Sequence, residues 1–585
     1  MKIIIMKFIA FFVTFCIAVN VFAQTGNSNM QKTMHRGNKY ETKKNYQQAV
    51  KQYLKVVDNP QASINDYAFA GQFLMEQKFF EEAVIVYKAA YQRFREKALV
   101  FGLPMATSLC LTNDFELASQ VLDAWKYHYR SDKKADWTRA QLIENQVAFL
   151  KINNSLPITD TVFNMGGNIN TIYDEFGPSV NAVDSQIVFT RKTNGVDEDF
   201  YKAIKDTCGE YWQAFDLGSP INTTKHEGGH FLSADGNYLF FMRCGNQQVN
   251  ERTMGACDLY FAYRVGNSWA EHVPFGATIN TPYFEGMPSL SPDNKKLYFV
   301  SDRPGGYGGK DIWYSVFVDG YWQIPVNAGP SVNSAYDEIA PYIANDNATL
   351  FFASNGHPGY GGYDIFVSKL DSNGTFGSAQ NLGTPVNTAY DENSVFVAAD
   401  GQYLCFSSDR PGGWGGFDIY TCSTPVSLRP DTVTYLYAKV VDSLDKEELT
   451  YAKILFYGAD GNEISVYQSN VGDASFLAVL PIQEEILMQV FRSGYLDYEA
   501  ILTFAEPQIK KPDTLTINLL PYDYQPPRYM YQLDKIHYDK NVLTIDVRFH
   551  EHLKGQLMKY LDDTTALYTI NSYTDDSGTP IINED

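Results

Sequence analysis

Positive charge is scarce in these 585 residues. The chain has 47 Lys and Arg against 68 Asp and Glu, a formal net charge of −21. Such a surface repels nucleic acid and anionic lipid, so neither is expected as a partner. Cysteine is scarce as well, seven in all. No Cys/His set has metal-ligand spacing, and no EF-hand loop occurs. No G-x-S-x-G elbow occurs either, which removes a capped serine hydrolase. Beyond the first two dozen residues no apolar run approaches 18, so no span of a membrane is expected. What the chain has in excess is aromatic side chains, at 15%, with 41 Tyr and 38 Phe. Rings pack well on pleated faces, so β-rich structure is expected. A hydrophobic fraction of 45% supports real cores, and the length allows about four domains at roughly 150 residues each.

Residues 1–23 read as a signal peptide. Lys2 and Lys7 form a positive start, Phe8 to Val21 is apolar, and Val21-Phe22-Ala23 offers a cleavage site before Gln24. Phe15, ahead of Cys16, sits where lipoprotein processing wants a small residue, which favours a secreted over a lipid-anchored product. Cleavage would remove two lysines, leave six cysteines and place them in an oxidising compartment. Cys244 and Cys257 flank a loop between two expected strands and could be bridged across it; Cys405 and Cys422 sit on a similar hairpin. Buried thiols are the alternative, and only the Cα separation decides between them.

Two internal repeats organise the chain. In residues 30–150, Gly37, Tyr40, Ala49 and Tyr53 recur 34 residues later as Gly71, Leu74, Ala83 and Tyr87, with a looser third copy in which Ala118 is one residue out of phase. Small residues at set places let helices approach closely, and the rings fill the gap. This resembles a tetratricopeptide array, which implies an α-solenoid with a concave partner-binding face. In residues 160–425, Asn170, Asn222, Asn280, Asn333 and Asn387 mark five units, and Asp199, Asp258, Asp311, Asp364 and Asp418 close them. Each unit offers about four short alternating strands with Gly/Asn/Asp turns. Radial stacking would bury both faces of such units, so a five-bladed β-propeller is expected, with a sixth degenerate blade left open. The segments SDRPGGYGGKDIWYS and SSDRPGGWGGFDIYTC resemble the WD40-like, TolB-type repeat of bacterial envelope proteins. Their glycines lie between strands with no following helix or Lys-Ser/Thr pair, which sets phosphate binding aside.

Residues 433–521 alternate strands and turns. They resemble the carboxypeptidase regulatory-like β-sandwich, with Gly494-Tyr495 matching that family's late GY. Residues 530–585 resemble the start of the OmpA-like peptidoglycan-binding domain, a partial α/β unit. The resemblance implies that Asp575 meets the amine of the peptidoglycan peptide. Tyr573 replaces the family's His, and the sequence given stops before the family's Arg, which removes a bidentate contact.

His226-Glu227-Gly228-Gly229-His230 satisfies H-E-x-x-H, a zinc-protease pattern that requires a helix. Glu227, however, is in register with Glu175, Glu285, Glu338 and Glu392 of the repeat, so it starts a strand. Two histidines four apart on a strand would be separated by about 13 Å. The five glutamates have two readings: a ring at a channel mouth that attracts a cation or basic peptide, or hydrogen-bond acceptors for turns.

No catalytic residue, metal or cofactor is expected, because stacked copies of small units leave no room for a reaction centre. The domain order is similar to that of PorE-type OmpA-family envelope proteins of Bacteroidetes. It implies a non-enzymatic scaffold, periplasmic and associated with the outer membrane or peptidoglycan, docking envelope or type IX secretion proteins and anchored to peptidoglycan. The alternative is a periplasmic glycan- or ligand-binding receptor for uptake or sensing, with Tyr307, Tyr360 and Trp414 stacking on sugar.

Overall fold

A computed structural model of the chain describes residues 45–129, 134–154, 160–181, 186–193, 197–206, 211–245, 248–249, 252–253, 257–266, 268–318, 320–482, 485–504 and 514–522, with 36, 37, 39 and 507. The signal peptide and the OmpA-like segment with Asp575 lie outside the described residues. Among those described, no helix is long and apolar enough to cross a membrane.

Among the described residues six α-helices are delimited first: α1 (Tyr46–Tyr53), α2 (Ile64–Glu76), α3 (Phe80–Phe94), α4 (Gly102–Leu111), α5 (Phe115–His128) and α6 (Lys134–Asn153). Side chains satisfy the free N–H groups at several starts. Asn45 caps α1, Asp114 caps α5, and Ser63 with Asp66 forms a capping box on α2. The α2–α3 and α4–α5 turns share one design. Lys78 and Asn113 adopt φ of 59° and 65°, and the next N–H reaches back five residues, from Phe79 to Leu74 O and from Asp114 to Leu109 O. The 34-residue phase has a steric cause. A Cβ on Gly37 would lie 2.6 Å from the Tyr53 ring, and one on Gly71 would lie 2.4 Å from Tyr87. The third copy loses phase because a 3-10 segment, Arg95–Phe101, precedes α4. The same close approach is then made by Gly102 and Trp125 at 2.8 Å, while Ala118 is still fully buried.

Among the described residues five antiparallel sheets of four or five strands follow, with a two-stranded ribbon, Gln248–Val249 against Arg252–Thr253, inside the second unit. The first strands of the five sheets are Asp174–Val180, His226–Leu232, Glu285–Leu290, Glu338–Ile343 and Glu392–Val397. The fifth sheet takes its outer strand from far upstream: Phe163 pairs with Thr421 and Asn164 with Tyr420. It also meets the first sheet, through Gly177 N–H to Ser407 Oγ at 3.1 Å and Glu175 N–H to Phe417 O at 2.8 Å. The succession of sheets therefore closes on itself, which removes exposed edges at the seam.

Every first strand bulges at the same place. Gly177, Gly229, Met287, Ala340 and Ser394, each two residues after the repeat's Glu, adopt φ between 49° and 69°. Beyond the bulge, equivalent positions hold Ser179, Phe231, Ser289, Tyr342 and Phe396. Phe231 packs against the core of the second and third sheets and against that of the fourth and fifth. Tyr342 and Phe396 meet at 5.4 Å between centroids, and Tyr342 OH donates to Val397 O at 3.0 Å. Ser179 and Ser289 accept N–H groups of the following sheet, from Leu232 and Ile343. Half-buried Phe231 and Phe396 and buried Tyr342 thus link sheets across the arrangement.

Residues 433–519 form two sheets over a shared core that includes Val440, Phe456, Phe476 and Met488. This unit sits on the turns between first and second strands of the ring sheets. Tyr467 OH donates to Pro292 O at 2.7 Å, Lys295 pairs with Glu463 at 2.6 Å, and Asn345 donates to Tyr435 OH at 3.1 Å. Ala234 and Ala399, from equivalent turns, pack with Tyr435 and Val479.

The Gly-rich loops occupy the opposite end. The first glycine, as in Gly305 (φ 101°) and Gly412 (φ 93°), meets the expected need for positive φ. The later ones are required by space. A Cβ on Gly308, Gly361 or Gly415 would lie 1.9, 2.2 or 1.7 Å from a carbonyl oxygen of the next sheet. Gly415→Ala should therefore lower stability by about 1–3 kcal/mol, seen as a lower melting temperature. Gly276→Ala, with nothing within 4 Å, should leave it unchanged.

Candidate functional site

The recurrent polar residues come first, because they are the natural candidates for chemistry. All five glutamates are fully buried. Each accepts the N–H and the hydroxyl of the Thr or Ser four residues earlier: Thr171, Thr223, Thr281, Ser334 and Thr388, at 2.5–3.0 Å. The second strand adds Arg191 to Glu175 at 2.7 Å, Ser354 to Glu338 at 2.6 Å, and Ser with Arg to Glu285 and Glu392. Burial pushes all five carboxyl pKa values up, and these donors oppose the shift. The glutamates do not line a channel mouth; they hold the turn that precedes their own strand. The Asn markers act across sheets. Each amide donates to and accepts from a single residue on the third strand of the preceding sheet: Asn170 with Ile419, Asn222 with Phe200, Asn280 with Leu259, Asn333 with Ile312, and Asn387 with Ile365. The closing Asp311, Asp364 and Asp418 accept N–H groups of their own glycine loops.

His226 through His230 lies on a strand, and the two rings serve different neighbours. His226 Nδ1 lies 4.0 Å from Asp197 Oδ1, while His230 Nε2 lies 3.2 Å from Val188 O and its ring packs edge-on to Phe200. Burial lowers the His230 pKa to about 4. Asp199 is raised to about 6, first by burial and then by Asp197 and Asp216. Among the described residues no group of three or more His, Cys, Asp and Glu is placed to hold a metal ion.

Cys244 and Cys257 are directly paired across adjacent strands and are disulfide-bonded. Cys405 and Cys422 remain thiols. They miss each other by one residue of register, since Cys405 pairs with Thr421 and Leu404 with Cys422, which turns their side chains to opposite faces.

The surface with the richest specific chemistry is one the sequence did not mark. The helices dock on the glycine-loop end of the fourth and fifth sheets. Lys78, the left-handed residue of the α2–α3 turn, reaches Asp391 at 2.5 Å and also pairs with Asp409. Phe80 packs on Tyr390 at 5.7 Å, and Phe149 of α6 meets Tyr360 edge-on at 5.3 Å. Tyr360 is thereby only 7% exposed and joins the helical core. The three loop-tip aromatics do not come together at one site: Tyr360 is covered, whereas Tyr307 and Trp414 are 53% and 60% exposed. Burial raises the Asp409 pKa, and Lys78 opposes that shift. The repeat gives no flag for this site, because the residue before the closing Asp differs in every unit: Glu198, Cys257, Lys310, Tyr363 and Phe417. Tyr363 OH donates to Asp337, but Phe417 stands at the next equivalent position and has no hydroxyl for Asp391.

No family model and no curated protein matches the chain. Solved structures do match. TolB from Acinetobacter baumannii is 13% identical over 43% of this chain and 54% of its own length, with a TM-score of 0.26. The chain thus spans about half of that protein. Putative TolB from Agrobacterium tumefaciens is 13% identical over 55% and 96%, with a TM-score of 0.28. These matches are consistent with a TolB-like propeller, and at such scores they carry no further argument. The alpha-L-arabinofuranosidase catalytic domain of Coprinopsis cinerea is 11% identical over 46% and 98%, with a TM-score of 0.33. A sialidase and further glycosidases accompany it. They overturn the expectation of a non-enzyme, because a ring of stacked sheets gives no ground for excluding a reaction centre.

Two outcomes are expected. His230 is neutral in the fold, and its stabilisation is complete above about pH 6.5 and is lost as pH falls toward about 4. Asp199 and the five buried glutamates shift the other way and gain stability as they protonate, so the readout is a difference: between about pH 6.5 and 4, the melting temperature of His230→Leu should fall less, or rise more, than that of the unaltered chain. Lys78→Met should leave Asp391 and Asp409 facing each other without their cation. Hydrogen exchange at residues 78–82 and 388–391 should then speed several-fold, with the sandwich unaffected.

Proposed function

We propose that the chain is a docking scaffold of a bacterial envelope assembly. In this reading residues 30–150 are tetratricopeptide repeats, residues 160–425 a five-bladed TolB-type propeller, and residues 433–521 a carboxypeptidase regulatory-like sandwich. The OmpA-like segment at 530–585 tethers the assembly to peptidoglycan through Asp575. The setting is the periplasm, at the outer membrane or cell wall, with type IX secretion proteins as the partner class. The observation that carries the reading is the placement of the modules. The helices bind one end of the ring sheets and the sandwich binds the other, through specific ion pairs and hydrogen bonds. Phe231, Tyr342 and Phe396 link sheets across the arrangement. Joined modules let several contacts act together.

The test is affinity purification of the tagged full chain from envelope, with cell-wall sedimentation of the full chain against one ending at residue 524. Secretion or envelope assembly proteins should co-purify, and only the full chain should sediment. Recovery of a sugar transporter alone would overturn the scaffold, and equal sedimentation of both chains would overturn the tether.

A further inference from the structure

Among the described residues, the same junction is built three times around the glycine-loop end, and one copy is occupied by the chain's own helices. In each, the loop's fourth-last residue before the closing Asp is aromatic: Tyr307, Tyr360 and Trp414. The next glycine presses on the carbonyl of the following sheet's tyrosine, Tyr336, Tyr390 or Tyr173. The last glycine lies against the following Asp, with a Cβ position 2.3, 2.1 or 2.2 Å from Oδ1 of Asp337, Asp391 or Asp174. That Oδ1 accepts a loop N–H in every case, from Lys310, Tyr363 or Phe417.

The three differ in what meets the second carboxylate oxygen. At Asp337 it is Tyr363 OH, at 3.3 Å. At Asp391 it is Lys78, delivered by a helical turn whose flanking Phe80 covers Tyr390 while Phe149 covers Tyr360. At Asp174, among the described residues, no group pairs with Oδ2. The neighbouring Lys192, which stands where Asp409 stands in the occupied junction, is held by Glu198 at 2.9 Å. Trp414 lays one edge over Gly167 and is otherwise open, at 60% exposure, and Ile172, between the Thr171 and Tyr173 carbonyls that meet Gly415, is 78% exposed. The open junction thus repeats the aromatics and the first of the two carboxylates of the occupied one, with the second position held by the Lys192–Glu198 pair, next to it on the same end of the ring.

We propose that the Trp414–Ile172–Asp174 junction is a docking site for an α-helical turn of a partner protein that presents a Lys or Arg beside an aromatic side chain. The proposal rests on the scaffold reading and names the chemistry of one partner. The chain supplies the template: an aromatic pair closing over a lysine–carboxylate contact is how it binds its own helices. Charge agrees, since a chain of net charge −21 attracts a basic partner. An exposed Trp and an exposed aliphatic side chain at one junction have the composition of an interface anchor. The Tyr307 junction lacks the available carboxylate oxygen and serves as an internal control.

The experiment places a photo-crosslinking phenylalanine analogue at position 414, and separately at 307, in the full chain in cells. Cross-linked peptides are then mapped by mass spectrometry. Position 414 should join a helical turn of another protein bearing Lys or Arg within a few residues of an aromatic, and position 307 should not. In pulldowns of the tagged full chain, Trp414→Ala should reduce that partner by about tenfold or more. Asp174→Asn, which keeps Oδ1 as an acceptor, should reduce it less and should weaken its salt dependence. A cross-link to glycan, to a strand, to this chain's own residues 523–585, or equally from both positions would overturn the proposal. So would undiminished capture by both variants, an outcome that leaves the scaffold reading intact; recovery of no envelope partner by the unaltered chain would instead remove the scaffold reading.

Discussion

A carboxylate sealed away from water at the head of each first strand is the constraint on which the ring depends. Burying a charge costs free energy unless donors surround it. The fold answers with an N–H and a hydroxyl from the residue four places earlier and, at Glu175, Glu285, Glu338 and Glu392, with Ser or Arg on or just past the adjacent strand. The donors set the turn and the turn sets the strand. The bulge two residues on then re-aims the chain so that Ser or aromatic side chains meet other sheets. Substituting any one carboxylate would leave an N–H and a hydroxyl unsatisfied at a place no water reaches.

The sheets interlock by the same logic at their ends. The Asn amide bonds to both backbone groups of one residue on the preceding sheet, as an additional strand would. The glycine loop pushes its backbone against carbonyls of the following sheet. Each unit is therefore completed by its neighbours on both sides, and the helical and sandwich modules attach to the two sets of turns this leaves exposed. At the junction that accepts Lys78, Phe417 offers Asp391 no hydroxyl of the kind Tyr363 gives Asp337.

Much of this was legible in the sequence, and the limits have physical reasons. Periodicity located the helical hairpins and the five units, because a repeated steric demand leaves the same residue at the same spacing. It could not say what Asn170 or Glu392 does, because those roles are set by partners on another sheet or across a turn. Two readings of the glutamates were open, and only burial separates them. His226-Glu227-Gly228-Gly229-His230 was placed on a strand by register alone. The helix-to-sheet contact was illegible for a different reason: Lys78 meets Asp391 across 313 residues, and a lone turn lysine carries no signature. Fold-level reasoning also overreached when it took stacked units to exclude catalysis.

The two-residue strand Phe163–Asn164 gives the ring a seam with mechanical meaning. The polypeptide arrives from the helices at this strand and departs toward the sandwich from Asp418–Ser423, its ladder partner. Tension applied between the flanking modules would be carried by that one short ladder, reinforced by Asn164 to Asp418 and Asn170 to Ile419. The other four sheets would stay off the load path.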